Sequence, residues 1–210
     1  MQGSYNINFS AGGLTIGSTS LPEATTPNPY EEPIPAAKAG TLTTRTDNDT
    51  GIVTVASGHG ITTSDTVDLY DSTGQLIQKD VDVTATTSTT ISIDAGVGSN
   101  LPAADAVVNV AKQVLINVTI LDAAIVIWGA VVEVPGDTTS QCRMLFEDAG
   151  GDDILDETRK VSSGLIEDVA NGATNSLDNS GGGIATLRVS HGNTLVAGVL
   201  KLISMEDRTP

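Results

Sequence analysis

Val114-Leu115-Ile116-Asn117-Val118-Thr119-Ile120-Leu121-Asp122-Ala123-Ala124-Ile125-Val126-Ile127-Trp128-Gly129-Ala130-Val131-Val132-Glu133-Val134 is the stretch on which the fold turns. Its 21 residues are long enough, as a helix, to cross a bilayer. Its composition points to strands instead. Asp122 stands near the midpoint, 11 of the 21 residues are β-branched, and Val114, Ile116, Val118 and Ile120 alternate with Leu115, Asn117, Thr119 and Leu121. β-Branched side chains favour extended backbone, a period of two marks a strand, and a charge at the bilayer centre costs about 3 kcal/mol. Neither flank carries a basic cluster to anchor a spanning helix. Two buried strands joined near Leu121-Asp122-Ala123 are expected.

The same period runs outward in both directions, with Gly, Asn, Asp and Ser punctuating the Val, Ile and Thr runs at short intervals. An all-β chain follows. Tyr5-Asn6-Ile7-Asn8-Phe9, the turn Ala11-Gly12-Gly13 and Leu14-Thr15-Ile16 read as a hairpin. Between Leu21 and Pro35 lie Pro22, Pro27, Pro29, Pro33 and Pro35, a density that opposes ladder pairing and predicts an extended linker. From Ala37 to Lys112 six short strands are expected: Thr41-Arg45, Gly51-Ala56, Thr66-Tyr70, Leu76-Thr84, Thr89-Ile93 and Ala106-Ala111. Their number and spacing predict a small barrel. The long pair Ile184-Val189 and Leu195-Ile203, with the 114–134 run, Gln141-Phe146 and the first hairpin, forms a second, larger β-layer. The expected fold is thus all-β: a sandwich-like outer domain, residues 1–36 and 113–210, with an inserted barrel, 37–112. A short helix is expected only over Ser162 to Ala170, where Leu165, Ile166 and Val169 share a face and Gly172 follows.

Composition narrows the function. Twenty-six acidic residues against 10 basic ones give a net charge of -16, so sequence-independent phosphate binding lacks its cations. Aromatic residues are 3% of the chain, only Tyr5, Phe9, Tyr30, Tyr70, Trp128 and Phe146, too few for a base-stacking platform or a sugar-binding cleft. The lone Cys142 forms no internal disulfide, and the start Met-Gln-Gly-Ser-Tyr-Asn has neither the basic nor the apolar region of a signal peptide. These features predict a chain that folds in a reducing compartment or is indifferent to redox state, and no contact with membrane.

Ala37-Lys38-Ala39-Gly40-Thr41-Leu42-Thr43-Thr44-Arg45-Thr46-Asp47-Asn48-Asp49-Thr50-Gly51, Gly58-His59-Gly60-Ile61-Thr62-Thr63-Ser64-Asp65 and Asn100-Leu101-Pro102-Ala103 together resemble a β-module of tailed-phage and prophage virion structural proteins. The resemblance covers about residues 37–112, a third of the chain. It implies a small barrel and a place in a virion, with the chain made in the host cytoplasm. Where relatives carry an aromatic-rich hairpin, this chain has Leu69-Tyr70-Asp71-Ser72-Thr73-Gly74-Gln75-Leu76.

No catalytic constellation accompanies these features. His59 and His191 both sit in Gly-rich turns, no Gly-x-Ser-x-Gly elbow occurs, and Cys142 beside Arg143 in a strand-like run reads as a buried structural thiol. Two oxygen-rich loops, Asp47-Asn48-Asp49-Thr50-Gly51 and Glu147-Asp148-Ala149-Gly150-Gly151-Asp152-Asp153, invite a hard cation but match no EF-hand and read as hairpin tips. Gly181-Gly182-Gly183 leads into a strand rather than a helix and is no phosphate loop. No catalytic residue, cofactor or metal is therefore expected. The reading is a virion structural protein, first a head decoration or cement protein bound to the major capsid protein or other virion proteins, and a homo-oligomer. A tail tube or tail tip component and an acidic calcium-dependent adhesion module are the alternatives. Because -16 charges repel like copies, contacts are expected from backbone pairing through Tyr5, Ile7 and Phe9, with Tyr30 in the proline arm.

Overall fold

The computed structural model describes residues 6–10, 13–17, 30–120, 125–147, 151, 153–162 and 183–207. Among them there is no helix, and so none long and apolar enough to cross a membrane. Fifteen strands fall into three bodies. A closed barrel consists of β4 (Lys38–Arg45), β5 (Thr50–Val55), β8 (Thr90–Asp94), β7 (Leu76–Thr86), β6 (Thr66–Asp71) and β9 (Val107–Lys112) in that spatial order. A six-stranded sheet is ordered β1 (Asn6–Ser10), β2 (Gly13–Gly17), β10 (Val114–Ile120), β14 (Gly183–His191), β12 (Gln141–Glu147), β13 (Asp153–Lys160). A three-stranded sheet is ordered β11 (Ile125–Glu133), β15 (Gly198–Asp207), β3 (Tyr30–Ile34). The chain is all-β, a sandwich with a small barrel inserted.

Alternation builds the barrel. Leu42, Val53, Val55, Val67, Leu69, Val81, Val83, Ile91, Ile93, Val108 and Val110 point inward, and Ile61 and Leu101 close the core from loops. The intervening Thr and Asp residues of β5, β7 and β8 face outward. Strands β6 and β9 depart from this pattern, since Asp68, Tyr70, Asn109 and Ala111 lie on the outer face and are nonetheless buried. Strand β12 is likewise buried on both sides. These three strands mark where the barrel rests on the six-stranded sheet.

The structure revises several sequence expectations. Ile184-Val189 and Leu195-Ile203 do not share one layer: β14 lies in the six-stranded sheet and β15 in the three-stranded one, so the chain arches from layer to layer at Gly192. β10 and β11 are divided between the layers in the same way, and their joint at Leu121-Asp122-Ala123 lies outside the described residues. The proline segment ends in a strand, not a linker. β3 pairs with β15 across Pro33↔Val199, which a proline tolerates because β3 is an edge strand. β13, reading Asp153-Ile154-Leu155-Asp156-Glu157-Thr158-Arg159-Lys160, was not expected at all, and its charge suits the opposite edge. Of the expected helix, residues 163–170 lie outside the described set.

The barrel closes its own hydrogen-bond ladder through β4 and β9 and holds its own core, so it has what a domain needs to fold alone. Residues 37–112 expressed by themselves are expected to give a dispersed amide spectrum and a cooperative thermal transition; a melt without a transition would show that the sandwich is required.

Candidate functional site

The richest cluster of ionisable groups lies between the barrel and the six-stranded sheet. Arg143, on β12, is 2% exposed. A guanidinium has five N–H donors in a fixed fork, and here each has a carboxylate. Nη1 donates to Asp68 Oδ1 (3.0 Å) and Asp80 Oδ1 (2.7 Å), Nη2 to Asp80 Oδ2 (2.7 Å) and Asp156 Oδ2 (3.0 Å), and Nε to Asp156 Oδ1 (2.7 Å). Asp68 and Asp80 belong to the barrel and Asp156 to β13, so one side chain ties both bodies together. Lys79 closes the outer side of the cluster against Asp156.

Local backbone aims these groups. The β6–β7 register slips between Val67↔Val81 and Leu69↔Gln78, leaving Lys79 and Asp80 as a bulge opposite Asp68. Asp80 takes φ +53° there, a left-handed value that aspartate tolerates better than most residues, and its N–H donates to Asp68 Oδ1 (3.0 Å). Without the bulge Asp80 would follow the strand's alternation instead of turning to Arg143. Gln113 Nε2 donates to both Asp68 Oδ1 (2.8 Å) and Asp80 Oδ1 (3.0 Å). Tyr70 Oη donates to Ser190 Oγ (2.7 Å), which in turn donates to Asp68 Oδ2 (2.5 Å).

Burial and pairing oppose each other here. Burial pushes the Asp80 and Asp156 carboxyls up, but the Arg143 hydrogen bond and charge, joined by the Gln113 bond at Asp80 and by Lys79 at Asp156, together hold both below the usual carboxylate range. Burial pulls the Arg143 guanidinium down, and the bonds it donates to Asp80 and Asp156, with the charges of Asp68 and Asp80, more than reverse it. Desolvation, with Asp68 close by, keeps the Tyr70 phenol protonated well above its ordinary value. The cluster is therefore a fixed set of charges with every Arg143 donor engaged.

A second contact lies beside it, at the tip of the β6–β7 hairpin. Gln141 N donates to Gly74 O (2.8 Å), Gly192 N to Gln141 O (2.9 Å), Leu76 N to Gln141 Oε1 (2.7 Å), and Asn109 Nδ2 to Gly192 O (3.2 Å). Gly74 and Gly192 lie against each other: a Cβ on Gly192 would stand 2.6 Å from Gly74 O and 2.7 Å from Tyr70 Cδ1. No side chain fits there.

The remaining reactive groups are also committed to structure. Cys142 and His191 are register partners on β12 and β14, an arrangement the sequence concealed. Burial pushes the thiol up to about 12, so no thiolate forms near neutrality. Burial also holds the His191 imidazole below its ordinary value, against the pull of Ile34 O and Asp137. Its ring meets backbone groups of Ile34 (3.4 Å), Gly198 (3.1 Å) and Asn193 (3.3 Å), bracing the arch between the two sheets. His59 clasps a barrel loop: Nδ1 accepts from Ile61 N (3.1 Å) and Nε2 meets Thr87 O (2.9 Å). In the first acidic loop, Asp47 Oδ1 accepts from Asp49 N, Thr50 N and Thr50 Oγ1, and the Thr50 bonds hold this carboxyl down to about 2. In the second, Glu147 Oε2 accepts from Arg188 Nε (2.7 Å) and Thr186 Oγ1 (2.8 Å), while Asp148 and Asp152 lie outside the described residues. Among the described residues no three His, Cys, Asp or Glu groups are placed to hold a metal ion.

Of the expected assembly contacts, Ile7 and Phe9 stand on β1, the outermost strand of the six-stranded sheet, and Tyr30 opens β3, an edge of the other sheet. Tyr5 lies outside the described residues. The sequence did carry a signal for the missed cluster: Arg143 within Cys142-Met144-Leu145-Phe146, and Asp68 within Val67-Leu69-Tyr70, are charges inside apolar strands, which must find each other. The chain matches no protein-family model, no curated protein and no solved structure.

Arg143→Met leaves Asp68 buried without its cation and is expected to destabilise the fold by about 3–5 kcal/mol in chemical denaturation. The pH dependence has a defined sign. Because Asp80 and Asp156 titrate lower folded than unfolded, their contribution is complete above about pH 4 and is lost as the pH falls through their folded values. Denaturation midpoints of the wild type should therefore fall on acidification below about pH 4, and fall less steeply in Arg143→Met.

Proposed function

We propose that this protein is a non-enzymatic structural component of a tailed-phage virion, a head decoration or cement protein that assembles as a homo-oligomer on the major capsid protein. One observation carries the reading: among the described residues, Arg143, His59 and His191 are engaged in bracing the barrel, the sandwich and the arch between its sheets, and the Cys142 thiol is buried and held protonated. The result is a stiff body in which what is left to offer a partner is shape, charge and strand edges.

The strand edges support this further. β1 is hydrogen-bonded on one side, to β2, and reads Asn6-Ile7-Asn8-Phe9-Ser10. An edge of that kind adds to a neighbouring sheet through main-chain bonds, which suits a chain with few aromatic anchors. The resemblance of residues 37–112 to a virion β-module supplies the context. Stabilisation of the capsid follows from one stiff body touching several subunits at once, a gain of effective concentration rather than of new contacts.

Purified virions of the source phage are expected to contain the chain in many copies per particle, with gold-labelled antibody on the head. Label on the tail would select the tail reading, and a chain present only in the soluble fraction of the lysate would overturn the virion reading.

A further inference from the structure

The hairpin β1–β2 differs from the rest of the chain in two independent respects. The first is charge. From Met1 to Pro22 there is no Asp, Glu, Lys, Arg or His, in a chain whose net charge is -16. The second is attachment. β2 joins the sheet by a parallel pairing with β10 of only two register pairs, Leu14↔Val118 and Thr15↔Thr119, whereas β10 meets β14 over seven. Parallel pairing is the weaker kind per residue, and two pairs give it little length.

The connection to the rest of the molecule is long. β2 lies in the six-stranded sheet and β3 in the three-stranded one, and residues 18–29 between them contain Pro22, Pro27 and Pro29. Twelve residues reach roughly 40 Å when extended, and proline biases a chain toward extension. A hairpin on such a tether reaches the β10 edge of an adjacent molecule as well as its own.

We propose that the hairpin β1–β2 is exchanged between copies, each chain's β2 pairing with β10 of a second copy of this chain. The occupant is defined by the structure, since the β10 edge already accepts this hairpin, and the same contacts form between chains as within one. Charge decides in favour of exchange: two bodies of net charge -16 repel each other, and the uncharged hairpin is the part that crosses between them without adding like charge to the contact. Exchange concerns self-association of the chain and stands whether or not the chain resides in a virion.

Position pairs 15 and 119 provide the test, because they are register partners across the joint. Full-length Thr15→Cys and Thr119→Cys chains are unfolded, mixed, refolded together and oxidised. The expected product is a covalent dimer on a non-reducing gel, with a peptide linking position 15 of one chain to position 119 of the other by mass spectrometry. A mixture that yields no such heterodimer, or a double variant T15C/T119C that links only within its own chain, overturns the exchange. Should the cysteine variants not refold, native mass spectrometry of the wild type replaces them. Oligomers that become monomers when residues 1–21 are removed, with the barrel's thermal transition retained, support it. A monomeric wild type, or a deletion that stays oligomeric, overturns it. A failed cross-link leaves the virion reading intact, and absence from virions leaves the exchange intact, so the two fail separately.

Discussion

One guanidinium holds the molecule's two bodies in register. Arg143 lies in the middle of a strand buried on both faces, where a charge without partners is not sustainable. Its three carboxylates come from two bodies, Asp68 and Asp80 from the barrel and Asp156 from the sheet. The orientation of the barrel is thereby specified by geometry as well as by apolar contact: a planar fork with five directed donors is satisfied in one pose, while apolar surfaces tolerate sliding. The bulge at Lys79-Asp80 and the Gln113, Ser190 and Tyr70 hydrogen bonds are the adjustments that make this pose complete.

From that constraint the layering follows. With the barrel fixed on one face, β12 and β14 present Cys142, Met144, Phe146, Leu187 and Val189 on the opposite face, all buried. His191 closes the end of this layer by meeting Ile34 and Gly198 of the three-stranded sheet. The order is barrel, six-stranded sheet, three-stranded sheet, with the arch at the end of β14 carrying the chain between the last two. Val, Ile and Leu make up most of the described core, which is how a chain with 3% aromatic residues still fills its interior.

The barrel was legible in the sequence because its strands are short, evenly spaced and bounded by turn residues, and β5 and β8 alternate cleanly. Thr50-Gly51-Ile52-Val53-Thr54-Val55 and Thr90-Ile91-Ser92-Ile93-Asp94 face core on one side and water on the other. The outer layers were legible as strands but not as partners. Sequence periodicity says nothing about which sheet a strand joins, so Ile184-Val189 and Leu195-Ile203 read as one pair in one layer while the chain arches between layers. β13 was hidden because an edge strand needs no apolar periodicity, and Asp153 to Lys160 has little. The Arg143 cluster was hidden for another reason: its members are separated by as many as 88 residues, Asp68 to Asp156, and one of them is aimed by a bulge that no local pattern announces.

The closure of the barrel through β4 and β9 bears on how the molecule carries load. Lys38 and Val110 are register partners, so the chain enters and leaves the barrel at the same end of one antiparallel pair. Tension transmitted along the backbone from β3 to β10 therefore pulls that pair apart like a zipper, breaking its hydrogen bonds one after another rather than shearing them together. Left alone, the insert would be the first part to open. Away from that seam, Gly74 bonds Gln141 and the Asp68 and Asp80 carboxylates hold Arg143 of the sheet, while Asn109, on the seam itself, bonds Gly192. Force can then pass through the sandwich around the barrel, and the junction acts as a mechanical bypass.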